Sequence, residues 1–89
     1  MRGMPEISRL FGIRILMYYN DHWSPHFHAE YAGDTVSLEI VSLAVLDGQV
    51  QRRALGMVVE WARAHREDLL KDWDRARDGV PLLKIDPLE

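Results

Sequence analysis

Three histidines lie close together in the first third of the chain, at His22, His26 and His28, in the pattern His-x3-His-x-His. Residues two apart on a β-strand point to the same face about 7 Å apart, so the imidazoles of His26 and His28 can converge on one ion. His22 lies across a turn that contains Pro25 and can supply a third nitrogen. Three protein ligands and a water form the usual coordination of a catalytic zinc. One hypothesis is therefore a zinc site at His22, His26 and His28.

Two other roles fit the same histidines. Histidines that flank a turn commonly serve as capping and hydrogen-bonding residues, and no helical His-x3-His pair supports a metal site. We favour this structural role, followed by a partner- or ligand-binding surface and then by the metal site. The residues of that binding surface would be Asp21, His22, Trp23, His26, His28 and Glu30. Trp23 would either anchor an interface or fold over the histidines.

A metal-independent ribonuclease is a further hypothesis for this region. Histidine acts as a general acid or base near neutral pH, a role open to His26 or His28. Tyr18 and Arg14 would stabilise the phosphoryl transition state if they share a face with the histidines. The candidate catalytic residues are therefore His26, His28, Tyr18 and Arg14.

The distribution of charge opposes a nucleic-acid role for the first half of the chain. The formal net charge is −3, and the segment from Ile15 to Gln51 has five acidic residues and no lysine or arginine. The segment from Arg52 to Arg77 has seven basic and five acidic residues. Any phosphate affinity should therefore lie on the second half, because acidic side chains repel RNA.

Alternating apolar residues predict the strands that position the histidines. The predicted strands are Ile13–Tyr19, His26–Tyr31, Thr35–Ile40 and Leu43–Leu46, the last closed by Asp47-Gly48, and Ala32-Gly33-Asp34 forms a turn between the second and third. In this pattern the side chains that face the helical half are Phe27, Ala29, Val36, Leu38 and Ile40. Those that face solvent or a partner are His26, His28, Glu30 and Glu39.

Apolar spacings of three and four predict an amphipathic helix from about Arg52 to Arg77, either continuous or broken near His65. Asp78-Gly79 and Pro81 are typical of a helix end. The tail from Val80 to Leu88 is too apolar to extend into solvent, so we expect it to pack on its own domain or on a second subunit.

These elements predict an α+β fold. It has an antiparallel three- to four-stranded sheet with one face covered by the long C-terminal helix, and an extended tail follows. We expect a single domain over residues 4–89, with residues 1–3 as a disordered leader.

The composition excludes several classes of protein. The 89 residues suffice for one domain, and the absence of cysteine excludes disulfides and thiolate zinc sites. No apolar run approaches the roughly 18 residues of a membrane span, and the first residues do not form a signal peptide. The six glycines include no Gly-x-Gly pair, so no nucleotide-binding loop is indicated. We therefore expect a cytoplasmic protein.

Several blocks of sequence resemble the "domain of unknown function 4160" family over nearly the whole chain. They are Met4–Arg9, Met17–His22, Pro25–Tyr31, Arg53–Leu55, Glu60–Ala62 and His65–Glu67, and the Asp-His…Pro-His-Phe-His block is the most specific of them. The resemblance implies a short prokaryotic protein whose gene neighbours that of another small protein, as in toxin–antitoxin pairs. It implies no activity. Trp23-Ser24 departs from the family pattern, and Met1-Arg2-Gly3 is an extra leader, so Met4 is an alternative start to Met1.

Small size, the apolar tail and the gene layout implied by the resemblance together favour a binding module over an enzyme. The expected partner is a small protein encoded nearby, bound through Trp23–Glu30 or through the tail, and the tail could also support a homo-oligomer. The alternative is a metal-dependent hydrolase or nuclease-type toxin that uses His22, His26 and His28. Zinc is the one cofactor that the residues suggest.

Overall fold

The computed structural model describes residues 5–19 and 24–87. In these two ranges the chain forms five strands followed by two helices, which confirms the α+β class. The strands are β1 (Glu6–Leu10), β2 (Ile13–Leu16), β3 (His26–Tyr31), β4 (Asp34–Glu39) and β5 (Val45–Gly48), and the helices are α1 (Arg52–Ala64) and α2 (Arg66–Asp78). In these ranges neither helix is long and apolar enough to cross a membrane.

The five strands form one antiparallel sheet in which each strand pairs with the next along the chain, so β1 and β5 are the two edges. Tight turns connect β1 to β2 and β3 to β4. Gly12 and Gly33 have φ of 78° and 85° in these turns, and the preceding residues Phe11 and Ala32 also have positive φ. Two successive residues of positive φ match the right-handed twist of the paired strands. The predicted glycine turn at Ala32-Gly33 is confirmed.

The prediction of three or four strands was wrong because β1 was missed. Its register on β2 shifts between Glu6, which pairs with Leu16, and Ser8, which pairs with Ile15. Ile7 and Ser8 are therefore both buried, and the alternation that marks a strand is lost at this point. β5 was also misplaced by two residues, because Asp47-Gly48 lies inside the strand and does not close it.

The core lies between one face of the sheet and the two helices. Phe27, Ala29, Val36 and Leu38 are fully buried on this face, as their alternation predicts. The helices contribute buried residues at helical spacing, namely Ala54, Val58, Trp61, Ala62, Leu69, Trp73 and Ala76. Trp61 and Trp73 therefore belong to the core. We call the side of the sheet opposite to this core the outer face.

The continuous helix was the wrong alternative, and the break near His65 is confirmed. His65 adopts φ −120° and ψ 25°, which ends α1, and its amide donates to the carbonyl oxygens of both Trp61 and Ala62. The break falls where the apolar spacing lapses. The predicted end at Asp78-Gly79 is confirmed, since Gly79 has the left-handed φ of 74° that caps α2.

The tail after α2 packs on its own chain at several points. The amide of Ile85 donates to the carbonyl oxygen of Ile7 over 2.7 Å, and Lys84 Nζ donates to that of Glu6 over 2.8 Å. Trp61 Nε1 donates to the carbonyl oxygen of Asp86 over 2.8 Å. The Ile85 side chain is buried in the core. The tail therefore lies along the backbone of β1, while the proposed homo-oligomer through the tail stays a prediction.

Candidate functional site

The structure brings three of the four candidate catalytic residues together. The rings of Tyr18 and His28 lie edge to face with centroids 4.2 Å apart, and those of His26 and His28 are 5.1 Å apart. Tyr18 follows β2, and both histidines lie in β3 beside it. Arg14 pairs with Glu30, and the buried Leu16 pairs with His28, so these residues of β2 and β3 share the outer face.

His26 is not on an open surface, and this expectation was wrong. The side chain is buried because Trp73 of α2 packs over it, with ring centroids 5.2 Å apart. The Nδ1 atom of His26 lies 2.8 Å from the carbonyl oxygen of Ser24. Because a carbonyl oxygen only accepts, Nδ1 of His26 carries a proton and donates it. At the start of β3, α2 thus contacts a residue of the outer face, and the structural role of His26 stays a prediction.

His28 is half-buried and is positioned by β4. Its Nδ1 atom lies 2.9 Å from the hydroxyl oxygen of Ser37, the residue that pairs with it across the two strands. The Tyr18 ring packs edge to face against it. Contacts with Ser37 of β4 and with Tyr18, which follows β2, therefore position the His28 ring.

Arg14 shares the outer face but is held by carboxylates. Its guanidinium lies 3.0 Å from Glu6 Oε1 and 2.6 Å from Glu30 Oε1. Arg9 donates to both oxygens of Glu6, at 2.8 Å to Oε1 and 2.9 Å to Oε2. Hydrogen bonds from Arg9, and then from Arg14, lower the pKa of Glu6 to about 2. The charge of Arg14 therefore stabilises the β1–β2–β3 register. Sequence reasoning missed this group because it did not identify β1.

The predicted zinc site cannot be assembled from the described residues alone. Within residues 5–19 and 24–87, no three histidine or acidic side chains are placed to hold one metal ion. His22, together with Asp21 and Trp23 of the predicted binding surface, lies outside the described residues. The three-histidine zinc site therefore stays a prediction.

The outer face becomes acidic toward β5. Asp47 pairs with Ser37 and thus shares its face, and Glu39 lies two residues farther along β4. Hydrogen bonds from the Ser42 and Ser24 hydroxyls hold the pKa of Glu39 below its ordinary value. The segment that contains both carboxylates, Ile15 to Gln51, has no lysine or arginine, although Arg66 of α2 reaches the carbonyl oxygen of Ile40 beside Glu39. This side of the sheet therefore favours a cationic contact.

The edge at β5 is exposed. All four of its residues are exposed, including Val45 at 47% and Leu46 at 48%, and Val41 just before the strand is 60% exposed. Val45 pairs with Leu38, which is fully buried, so the cover provided by the helices ends between β4 and β5. We call β5 with Val41 the open edge.

Sequence reasoning did not select the open edge, although a signal was present. Leu46 is an extra residue in β5, because Ser37 pairs with Asp47 and the next residue, Leu38, pairs with Val45. β5 is the last strand of a meander, and a last strand forms an edge of the sheet unless another segment covers it. The predicted strand Leu43–Leu46 occupied this last position.

A cleft of about 300 Å³ separates α2 from the tail. Its charged lining residues are Asp68, Lys71, Asp72, Arg75, Lys84 and Asp86. Asp72 is fully buried and accepts hydrogen bonds from Arg75 at 2.7 Å and from the amide of Leu83 at 2.9 Å. Acidic and basic residues balance in this lining, and the carboxylate of Asp72 holds the tail, so the cleft is better explained as packing than as a binding site.

Comparison with known proteins identifies one family. The family model described as "Domain of unknown function (DUF4160)" matches residues 12–74, which confirms the resemblance over most of the chain. No curated protein and no solved structure matches the chain. The matched range contains β2 to β5, α1 and most of α2, and it leaves out β1 and the tail.

Proposed function

The chain belongs to the DUF4160 family, and we propose that it is a binding module for a protein partner. The partner in this proposal is the small protein that a neighbouring gene encodes, in the toxin–antitoxin-like arrangement that the family resemblance implies. The module would act in the cytoplasm and would carry out no reaction on its partner.

The open edge is the observation that supports this proposal. An edge strand presents unpaired N–H and C=O groups along one side, and an extended segment of another protein can pair with them. Val45 and Leu46 in β5, and Val41 in the turn that precedes it, add exposed apolar side chains. Backbone hydrogen bonds would supply affinity, and the side-chain contacts would supply specificity.

The charge of the sheet supports a protein partner over a nucleic acid. Asp47 and Glu39 lie on the outer face beside the open edge, in a segment without lysine or arginine. Phosphates approaching this surface would meet like charges. The basic residues Arg52 and Arg53 belong to α1, which packs on the opposite side of the sheet.

Co-expression with the neighbouring protein tests the proposal. We expect the wild-type complex to survive purification, and its stoichiometry can be read by native mass spectrometry. The double variant Val45→Thr/Leu46→Thr removes apolar contacts but keeps strand-forming residues, so affinity should fall at least about tenfold. Leu83→Thr, which changes a residue 56% exposed on the tail, is the matched control and should retain the partner.

Two results would overturn the proposal. Equal retention of the partner by the double variant and the wild type would exclude the open edge as the interface. A wild-type chain that retains no neighbouring protein, although both are folded by circular dichroism, would exclude that partner. A mass of two copies of this chain would instead indicate self-association.

The ring cluster of Tyr18, His26 and His28 supports a second candidate, which is catalysis by a nuclease-type toxin or a metal-dependent hydrolase. This candidate predicts growth arrest on expression, or one bound zinc per chain in native mass spectrometry. Either property should disappear in His28→Ala and persist in His65→Ala, which removes a histidine between α1 and α2 that lies outside this ring cluster. Normal growth with a metal-free wild-type protein would reject it.

A further inference from the structure

We infer that the segment bound at the open edge is an extended peptide in which apolar residues alternate with lysine or arginine. This inference rests on the proposed function, and it specifies the chemistry of the partner.

The two faces of β5 differ in chemistry. Val45 shares the helix-covered face with Leu38, and Asp47 shares the outer face with Ser37. The side chains of an added strand would alternate between the same two faces. Those on the helix side would contact Val45, and those on the outer side would contact Asp47. An alternating apolar and basic sequence satisfies both faces.

Two carboxylates lie on the outer face close to the open edge. Glu39 lies in the adjacent strand on the same face as Asp47, and the segment between Ile15 and Gln51 lacks lysine and arginine. Arg66 of α2 donates to the carbonyl oxygen of Ile40, so its guanidinium lies toward the Glu39 end of this face. Glu30, farther across the sheet, is paired with Arg14 at 2.6 Å. The exposed Asp47, in β5 itself, is therefore the charged residue that a bound strand would contact.

The same charges disfavour a second copy of this chain at the open edge. Antiparallel pairing of β5 with its copy would place two Asp47 carboxylates and two acidic faces on one side of the extended sheet. Like charges close together on paired strands are destabilising. A basic segment avoids the repulsion between carboxylates.

Short synthetic peptides test the inference by fluorescence polarisation. The probe alternates valine and lysine, a first control contains the same residues in two blocks, and a second control replaces lysine by glutamate. The alternating basic probe should bind at least about tenfold more tightly than either control, and salt should weaken it. Asp47→Lys should reverse the preference between the basic and acidic probes, and Asp47→Asn should only weaken it.

The outcomes separate this inference from the proposed function. Equal binding of basic and acidic probes, or no binding of any probe by a chain that still retains its neighbouring protein, would overturn the inference alone. Unchanged probe binding by Val45→Thr/Leu46→Thr would place the peptide elsewhere and overturn the inference, whereas only equal retention of the neighbouring protein by this variant would also overturn the proposed function. Self-association that is lost in this double variant would identify a second copy as the occupant and also overturn the inference.

Discussion

The β1 edge and the β5 edge belong to the same five-stranded sheet, but the first is covered by the tail and the second is exposed. At β1 the tail lies against the strand, with the amide of Ile85 bonded to the Ile7 carbonyl oxygen and its side chain buried. At β5 all four residues are exposed, and no further strand pairs with it in the described ranges. Because the tail covers the β1 edge, another protein cannot add a strand there. The β5 edge is therefore the one at which a strand could be added.

The family match divides the molecule in the same way. Residues 12–74 include β5 and the outer-face residues of β2 to β4, whereas β1 and the tail that covers it lie outside this range. The open edge thus lies inside the range that matches the family model. The covered edge, formed by β1 and the tail, lies outside it.

Removing the Ile85 side chain should disrupt the covered edge most strongly. Ile85→Ala should lower the free energy of unfolding by about 3 kcal/mol, because it leaves a cavity in the core. Leu83→Ala is the matched control on the same tail, and its exposed side chain should change stability by less than about 0.5 kcal/mol. Urea denaturation measures both. Similar values for the two variants would show that the tail is not specifically packed.

Asp72 anchors the tail from the side of α2. Asp72→Ala should cost about 2 to 3 kcal/mol, since the amide of Leu83 and the guanidinium of Arg75 lose their buried acceptor. The exposed Asp74, which pairs with Arg77 at 2.9 Å, provides the control. Asp74→Ala should cost less than about 0.5 kcal/mol in the same denaturation experiment. If Asp72→Ala lowers the free energy of unfolding as little as Asp74→Ala does, the tail does not depend on the Asp72 carboxylate.

Gly48 tests how firmly the open edge is attached. A Cβ atom at this position would lie 2.2 Å from the carbonyl oxygen of Thr35, and its φ is 76°. Gly48→Ala should therefore cost about 2 kcal/mol and also weaken partner binding, because β5 must move away from β4. Gly33→Ala has a φ of 85° but meets no atom within 4 Å, so it should cost about 1 kcal/mol. Equal costs would mean that the close approach to Thr35 has no effect.

The smallest expected effect concerns the ion pairs of β1. At neutral pH, Glu6→Gln should lower stability by about 0.5 to 1 kcal/mol, the range of solvent-accessible pairs. Because the folded pKa of Glu6 is about 2 against an ordinary 4.5, this contribution is complete above pH 4.5 and is lost as the pH falls toward 2. Stability measured across this range should converge for variant and wild type. A difference that stays constant down to pH 2 would contradict the assignment.

The parts of the fold that sequence predicted are those governed by local pattern. Alternation in His26–Tyr31 placed Phe27 and Ala29 in the core and His28 on the outer face, and Gly79 marked the end of α2. β1 could not be found in this way, because the bulge at Ile7-Ser8 breaks the alternation. The break at His65 was one of two alternatives, since a lapse in apolar spacing does not determine a backbone angle.

The candidate site was less accessible to sequence reasoning because it depends on contacts between distant segments. The buried His26 packs against Trp73 of α2. Arg14 forms an ion pair with Glu6, which lies in a strand that was not predicted. The exposure of Val45 depends on where the helices stop covering the sheet. None of these follows from the spacing of residues along one segment.

The contact between the tail and β1 has a consequence for the order of folding. The Lys84 ammonium reaches the carbonyl oxygen of Glu6 across a sequence separation of 78 residues. Contacts between such distant segments form slowly, because a long loop must close first. During synthesis on the ribosome, β1 emerges early, whereas the tail that covers it emerges after both helices. In that interval the nascent sheet has two unpaired edges, and it is then most exposed to misassociation.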